Sequence, residues 1–200
     1  MPMTGKRKDR EFRAFANFEI RAAQNGDSEE LYVEGYAATF NSPTILFSFD
    51  GVDYKEQIDI NAFGEADMSD VIFNYNHSGK VMARTRNKTL QVSTDNKGLY
   101  VRAKVDGTEE GRKIYEEIKG GYIDRMSFQF TIREESYDSE NHMWTVRKVK
   151  KLYDVSAVDI PAYNDTSISA RKSFLELDSE RKKALESAER RKKLLLRTLT

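Results

Sequence analysis

The chain has 200 residues, 38% of them hydrophobic and 33% charged, which suits one domain with a modest core and at least one solvated, charge-rich segment. It has no cysteine and only two histidines, so disulfides, thiolate metal sites and a cysteine nucleophile are excluded, and a histidine-rich zinc site is not expected. The formal net charge is zero and no apolar run approaches the length of a membrane span, so neither a uniformly basic nucleic-acid surface nor a membrane anchor is expected.

Hydrophobic periodicity predicts a series of β-strands in the first half of the chain. The predicted strands and hairpins are, in chain order, residues 12–20, 31–40, 47–58, 71–77 and 90–105. Within 47–58, an Asp-Gly pair between two alternating runs predicts a hairpin. The short strand at 71–77 ends on His77.

One predicted helix interrupts the strands. Thr108 suits the N-cap, the two glutamates after it favour the first turn, and Gly120 ends the helix. Ile114 and Ile118 supply a narrow apolar stripe. Three more strands are predicted at residues 126–133, 143–149 and 151–162. About eight strands with one embedded helix predict a mainly β domain, built as a mostly antiparallel barrel or folded sheet.

The last thirty residues differ in composition from the rest. Residues 171–200 carry ten Lys/Arg against five Asp/Glu, whereas the remainder has an acidic excess. The SFLE sequence at 173–176 matches a capping box, and the helix formers after it have apolar positions only patchily in phase. We therefore predict a main domain over 12–170 and a charged helical appendage over 171–200. Because the acids dilute the basic charge, a solvated helix face is favoured over nucleic-acid binding.

Ser127 lies in the run GGYIDRMSFQF, residues 120–130, where Met126, Phe128 and Phe130 alternate with polar residues. From the alternation alone, Ser127 is a polar residue on the solvated face of a half-buried strand. A nucleophilic serine needs a base within hydrogen-bond reach and an acceptor that orients the base.

The two histidines are the candidates for that base. His77 lies at a strand-to-loop boundary and is the better candidate, although a half-exposed strand-end histidine is the simpler interpretation of its position. His142 adjoins a polar hairpin turn, where solvent is its expected neighbour.

Asp154 is the first candidate for the acceptor. It lies in an otherwise apolar strand, so its carboxylate needs a donor such as an imidazole N–H. The alternative is an ion pair with one of the lysines at 148, 150 or 151. Asp159 is the second choice for the acceptor.

Six segments in order resemble the prohead (capsid-maturation) proteases of tailed phages, a family related in fold to the herpesvirus assembly protease. They are GYAATFN at 35–41, KEQIDINAF at 55–63, NYNHSGKVMARTRNKTL at 74–90, DNKGLYVRAKV at 95–105, GYIDRMSFQF at 121–130 and LYDVSAVDIPAYNDTSISAR at 152–171. Their order carries the resemblance more than any one of them, and it extends from about residue 31 to about residue 171.

The resemblance implies an antiparallel β-barrel of the herpesvirus assemblin type, with His77 as catalytic base and Ser127 as nucleophile. It implies Asp154 as the third member, although the family's L-x-E-V-S pattern has glutamate there, so the shorter aspartate must approach the imidazole more closely. Related viral assembly proteases use a histidine as third member, a role that His142 nominally fills. The sequence does not locate an oxyanion hole; Arg84 and Arg125 are nearby cations for which surface solvation is expected.

The implied function is a serine endopeptidase without a cofactor or metal, located inside the assembling phage prohead in the host cytoplasm. Its expected substrates are the major capsid protein, scaffold segments and the protease itself, and self-association is left open. No nucleic-acid or membrane partner is expected. The alternative is a non-catalytic capsid scaffold protein that keeps the protease fold, against which the intact Ser/His pair argues.

Overall fold

The computed structural model describes residues 11–14, 20–24 and 30–159, together with positions 187 and 190, which are helical. The chain divides into two units, Met1–Tyr163 and Asn164–Thr200. Apart from positions 187 and 190, the predicted appendage over 171–200 lies outside the described residues, as does the end of the strand predicted over 151–162. No helix in the described ranges is long and apolar enough to cross a bilayer.

The described residues form eleven β-strands, one α-helix and one short 3-10 helix. The strands are β1 Glu11–Ala14, β2 Ile20–Gln24, β3 Leu31–Thr39, β4 Thr44–Phe49, β5 Val52–Ile58, β6 Ile72–Tyr75, β7 Ser78–Arg84, β8 Leu90–Thr94, β9 Gly98–Lys104, β10 Arg125–Asp138 and β11 Met143–Val158. The helices are the 3-10 turn Thr85–Asn87 and α1, Glu109–Lys119. The Thr108 side chain caps α1 by accepting a hydrogen bond from the Gly111 amide, as the sequence predicts.

The strands form a seven-stranded and a four-stranded sheet. The larger sheet runs β1-β10-β11-β5-β4, with β6 on β11 and β7 on β6, and the smaller runs β2-β3-β9-β8. β11 is antiparallel to β10 and parallel to both β5 and β6. The mainly β prediction is confirmed. A closed barrel is not found in the described part of the chain, because the two sheet orders end at separate edge strands without a ladder that joins them.

Three predicted strands have different bounds in the structure. The run predicted as one strand over 12–20 contains β1, which pairs with β10, and the start of β2, which pairs with β3 in the other sheet. The two strands predicted over 143–149 and 151–162 are the single strand β11, whose pairing with β10 skips Arg147, Lys150 and Tyr153. A bulge shifts the alternation of buried and exposed side chains by one residue without ending the strand. The change of pattern between the two predicted runs therefore does not mark a strand end.

The strand β7 is absent from the sequence prediction. Its sequence, SGKVMAR, opens with four residues that remain exposed, including Val81, and buries only Met82 and Ala83. So short an apolar run has no visible period, and pairing with β6 rather than propensity makes it a strand.

The hydrophobic core combines side chains from both sheets and from α1. Met126, Phe128 and Phe130 of β10 are completely buried in it, and the last two rings stack with centroids 4.8 Å apart. Burial of each of these side chains contributes about 1.5–3 kcal/mol. The apolar face predicted for β10 is therefore confirmed, and the core holds this strand rigidly.

Candidate active site

A tight hairpin presents His77. β6 ends at Tyr75, β7 begins at Ser78, and the two residues between them, Asn76 and His77, have φ values of 49° and 54°. Positive φ at both central residues is the mark of the two-residue turn that matches the twist of a hairpin. Asn and His tolerate this left-handed region better than most residues with a side chain do. The turn therefore holds the His77 backbone in one orientation.

An ion pair closes the other end of this hairpin. Arg84, at the end of β7, donates from Nε and Nη2 to the two carboxylate oxygens of Asp70, at 2.6 and 2.7 Å. The Arg84 guanidinium lowers the pKa of the Asp70 carboxyl through these hydrogen bonds. The Arg84 side chain is 38% exposed, so it keeps the surface position expected for it while its charge also anchors the hairpin through Asp70. Arg125, by contrast, lies 3.5 Å from the carboxylate of its exposed neighbour Asp124.

Ser127 lies on β10 between two neighbouring strands. Its Cα partners are Ala14 on β1 and Ser156 on β11. Ser127 is 0% exposed, so the interpretation of this residue as part of a solvated strand face is wrong. Burial on both faces at this point removes bulk water from the hydroxyl, which strengthens any electrostatic interaction that it makes.

The structure brings Ser127 of β10, Asp154 of β11 and His77 of the β6–β7 turn together. His77 Nε2 lies 2.6 Å from Ser127 Oγ, and His77 Nδ1 lies 2.6 Å from Asp154 Oδ1. The side chains of His77 and Asp154 are 11% and 5% exposed. Asp154 takes its place through β11, which pairs with β10 on one side and with β6 on the other. The aspartate is long enough to reach the imidazole although the family pattern has glutamate at this position.

Two of the three lysines proposed as alternative partners for Asp154 pair with other carboxylates. Lys151 pairs with Asp67 at 2.9 Å, and Lys148 lies 3.9 Å from both Glu65 and Glu134. Neither lysine forms the predicted ion pair with Asp154. The carboxylate instead lies 2.6 Å from His77 Nδ1, and the imidazole was the first of the two kinds of donor that the sequence analysis left open.

The alternative third members also have other partners. Asp159 accepts a hydrogen bond of 3.0 Å from the Tyr75 hydroxyl. His142 packs its ring 5.1 Å from the Tyr54 ring, and its Nδ1 lies 3.4 Å from the Tyr137 hydroxyl. The expectation that solvent is the main neighbour of His142 is therefore wrong. The position at Nδ1 of His77 is taken by Asp154.

Two further residues of the site escaped the sequence analysis. Ser156 lies opposite Ser127 on β11, and Asn74 lies opposite Ser156 on β6, which forms a row across three strands. The Ser156 hydroxyl donates to Asn74 Oδ1 and lies 2.9 Å from Asp154 Oδ1 and 3.1 Å from His77 Nδ1. It also accepts a hydrogen bond of 3.2 Å from the His77 backbone N–H. The available signal was its position two residues after Asp154, on the same strand face.

A hydroxyl, an imidazole and a carboxylate linked in this order can activate the hydroxyl as a nucleophile. The imidazole can take a proton from the hydroxyl through Nε2 while its Nδ1–H donates to the carboxylate, which fixes the tautomer. Within the described ranges, no group of three or more acidic or histidine side chains is arranged to hold a metal ion. The site is therefore competent for nucleophilic attack with general-base assistance.

The family model of the caudovirus prohead serine proteases matches residues 16–180 of the chain. This range includes all three of the residues brought together at the site and every strand of both sheets except β1. No curated protein and no solved structure matches the chain.

Proposed function

Because the chain belongs to the caudovirus prohead serine protease family, we propose that it is a serine endopeptidase that cleaves capsid and scaffold proteins, and itself, during prohead maturation. Its place of action is the inside of the assembling prohead in the host cytoplasm. A relationship in fold to the herpesvirus assembly protease is part of the proposal and is supported by the sequence resemblance. The observation that carries the proposal is the pair of 2.6 Å contacts that link Ser127, His77 and Asp154.

The proposed reaction proceeds in two halves. Ser127 Oγ attacks the substrate carbonyl carbon while His77 Nε2 accepts the hydroxyl proton, and His77 returns that proton to the leaving amine as the peptide C–N bond breaks. A water molecule then gives its proton to His77 and attacks the acyl ester, which releases Ser127 with its proton restored. Asp154 accepts from Nδ1–H throughout and stabilises the imidazolium that forms in each half.

Chemical labelling tests this proposal most directly. The purified full-length chain is treated with a fluorophosphonate probe, and the modified peptide is identified by mass spectrometry. We expect a single adduct on the peptide that contains Ser127. In parallel, intact mass is followed over time with and without the capsid protein of the same phage, and new cleavage products of both proteins are expected. A folded chain that binds capsid protein without labelling or cleavage would support the scaffold alternative instead.

Ser156 is proposed as a positioning residue for this reaction. Ser156→Ala removes the acceptor of the His77 backbone N–H and a partner of the Asp154 carboxylate. A hydrogen bond to a charged group contributes about 1.5–3 kcal/mol, so kcat is expected to fall about 10- to 100-fold. The pH profile of the rate should shift as well, because the environment of the imidazole changes. Measurement of kcat against pH checks both effects.

Two further variants control this prediction. Ser156→Thr keeps the hydroxyl and should restore part of the lost rate. Ser48→Ala removes an exposed hydroxyl on β4, which donates to Asp53, and should leave the rate and the profile unchanged. A Ser156→Ala enzyme with the wild-type rate and pH profile would show that Ser156 only fills space.

Residues 171–200 are proposed as an appendage of the catalytic domain. The proposal is supported by the reversal of charge balance after residue 170 and by the capping box at 173–176. In the proposed function the appendage tethers the enzyme to scaffold within the shell.

A further inference from the structure

The reaction centre is closed to solvent in this structure. Ser127 is 0% exposed and the His77 side chain is only 11% exposed. A peptide carbonyl must come within about 3–3.5 Å of the nucleophilic oxygen before it reacts. A polypeptide substrate therefore reaches Ser127 only after some part of the protein has moved.

The backbone pairing shows which strand lies along the edge of β10 beside Ser127. β10 has β11 on one side and β1 on the other, and Ala14 of β1 is the Cα partner of Ser127. Directly opposed residues of an antiparallel pair have Cα atoms about 4.5–5.5 Å apart. The backbone of β1 thus fills the space beside the nucleophile. The other neighbour, β11, carries Asp154 and Ser156 and is held on both sides, so it is not a candidate for movement.

We propose that β1 occupies the edge of β10 along which the substrate peptide binds, and that β1 must leave this edge before cleavage. This inference rests on the proposed protease function and adds to it a binding mode and a latent state. The ligand of the edge is an extended polypeptide segment, which adds a strand to β10 and is held by its main-chain hydrogen bonds.

The length and position of β1 suit a strand that a substrate peptide can displace. It has only four residues and is the last strand of its sheet, with β10 as its partner. β2 pairs with β3 in the other sheet, so release of β1 leaves that pairing intact. Short edge strands open at low free-energy cost, whereas β10 and β11 share a long ladder and remain in place.

A reversible tether tests the proposal in the full-length chain. Phe12 and Gln129 are Cα partners across β1 and β10, and the chain has no cysteine of its own. The double variant Phe12→Cys/Gln129→Cys is compared in its oxidised and reduced forms for the rate at which fluorophosphonate labels Ser127. We expect the oxidised form to be labelled at least about tenfold more slowly, because the disulfide removes the open state from the ensemble. Equal rates in the two forms would overturn the proposal.

A matched tether controls for the disulfide itself. Gln91 and Arg102 are Cα partners of β8 and β9 in the other sheet. The oxidised Gln91→Cys/Arg102→Cys variant should be labelled as fast as its reduced form. Slowing of the same size at this distant pair would assign the effect to general rigidity and overturn the proposal.

Loosening β1 should have the opposite effect. Phe12→Pro/Arg13→Pro removes two adjacent N–H donors, one of which faces β10 whatever the phase of the ladder. Labelling is expected to be on the order of tenfold faster than in the wild type. Phe12→Ala/Arg13→Ala, which keeps both donors, should be labelled more slowly than the proline variant.

The two proposals fail in different ways. If the wild type is labelled at Ser127 and neither the tether nor the prolines change the rate, the latent state is wrong and the protease function stands. If folded wild type and all folded variants remain unlabelled, the protease function is wrong and the inference falls with it.

Discussion

Ser127→Ala and His77→Ala are each expected to abolish proteolysis while leaving the fold intact. Ser127→Ala removes the oxygen that attacks the carbonyl, and His77→Ala removes the base 2.6 Å from that oxygen. Loss of either the nucleophile or its base in a serine protease lowers kcat by on the order of 10⁶-fold, because the residues act as a unit. The double variant should therefore be no slower than either single variant.

The expected cost in stability is small. Truncation of one hydroxyl or one partly exposed imidazole changes the free energy of unfolding by about 1 kcal/mol, whereas loss of a core phenylalanine such as Phe128 costs about 3–5 kcal/mol. His77 has a φ of 54°, so alanine there adds backbone strain that is unrelated to catalysis. His77→Asn is the better control for folding, because asparagine tolerates this conformation.

Cleavage of capsid protein and denaturant unfolding are measured on the same preparations. The control substitution is His142→Asn, which removes the second histidine of the chain, tolerates its φ of 49°, and should cleave at close to the wild-type rate. If either Ser127→Ala or His77→Ala cleaves substrate at the wild-type rate with an unchanged fold, the assignment of that residue is wrong.

Asp154→Asn is expected to lower kcat by on the order of 10⁴-fold, an effect second only to loss of the nucleophile or base. The carboxylate accepts from His77 Nδ1 at 2.6 Å and is 4% exposed as a residue. An amide in the same place can donate to Nδ1, which puts the proton on Nε2, where it blocks the uptake of the serine proton. Asp154→Glu keeps an acceptor and restores the family's usual residue, so it should retain more activity than Asp154→Asn.

Steady-state kinetics of the three enzymes at one pH decide this point. Asp159→Asn is the matched control, because Asp159 lies only five residues along the chain and bonds to Tyr75. It should behave like the wild type. Equal activity in the wild type and in Asp154→Asn would move the orienting role to Asp159 or His142.

Local sequence patterns were sufficient for most single elements of this fold. The Asp-Gly pair in the 47–58 hairpin has positive φ at both residues, as its turn type requires, and the Thr108 cap starts α1 where predicted. These features depend on neighbours within a few residues. The sheet to which a strand belongs does not depend on close neighbours in sequence. The run over 12–20 illustrates this, because its alternation of apolar and polar residues does not indicate which strand will pair with each part.

The sequence by itself determined which residues are candidates for chemistry. Residue types and local patterns made His77 and Asp154 the first candidates for base and acceptor, but taken alone they favoured a solvated strand residue for Ser127. The resemblance of the six segments was needed to select the three residues as a set. The order of the six segments was enough to select the family. Neither result required coordinates, because residue type and segment order are properties of the chain alone.

Only the tertiary structure decided how these residues meet. Ser127 and His77 are 50 positions apart in sequence, and Ser127 Oγ comes within 2.6 Å of His77 Nε2 because β11 pairs with β10 on one side and with β6 on the other. The same pairing sets Ser156 and Asn74 in a row beside Ser127, and the pairing of β10 with β1 makes Ala14 the Cα partner of Ser127. Strand partners are chosen by the fit of whole faces during folding, a non-local free energy that no short run of residues encodes.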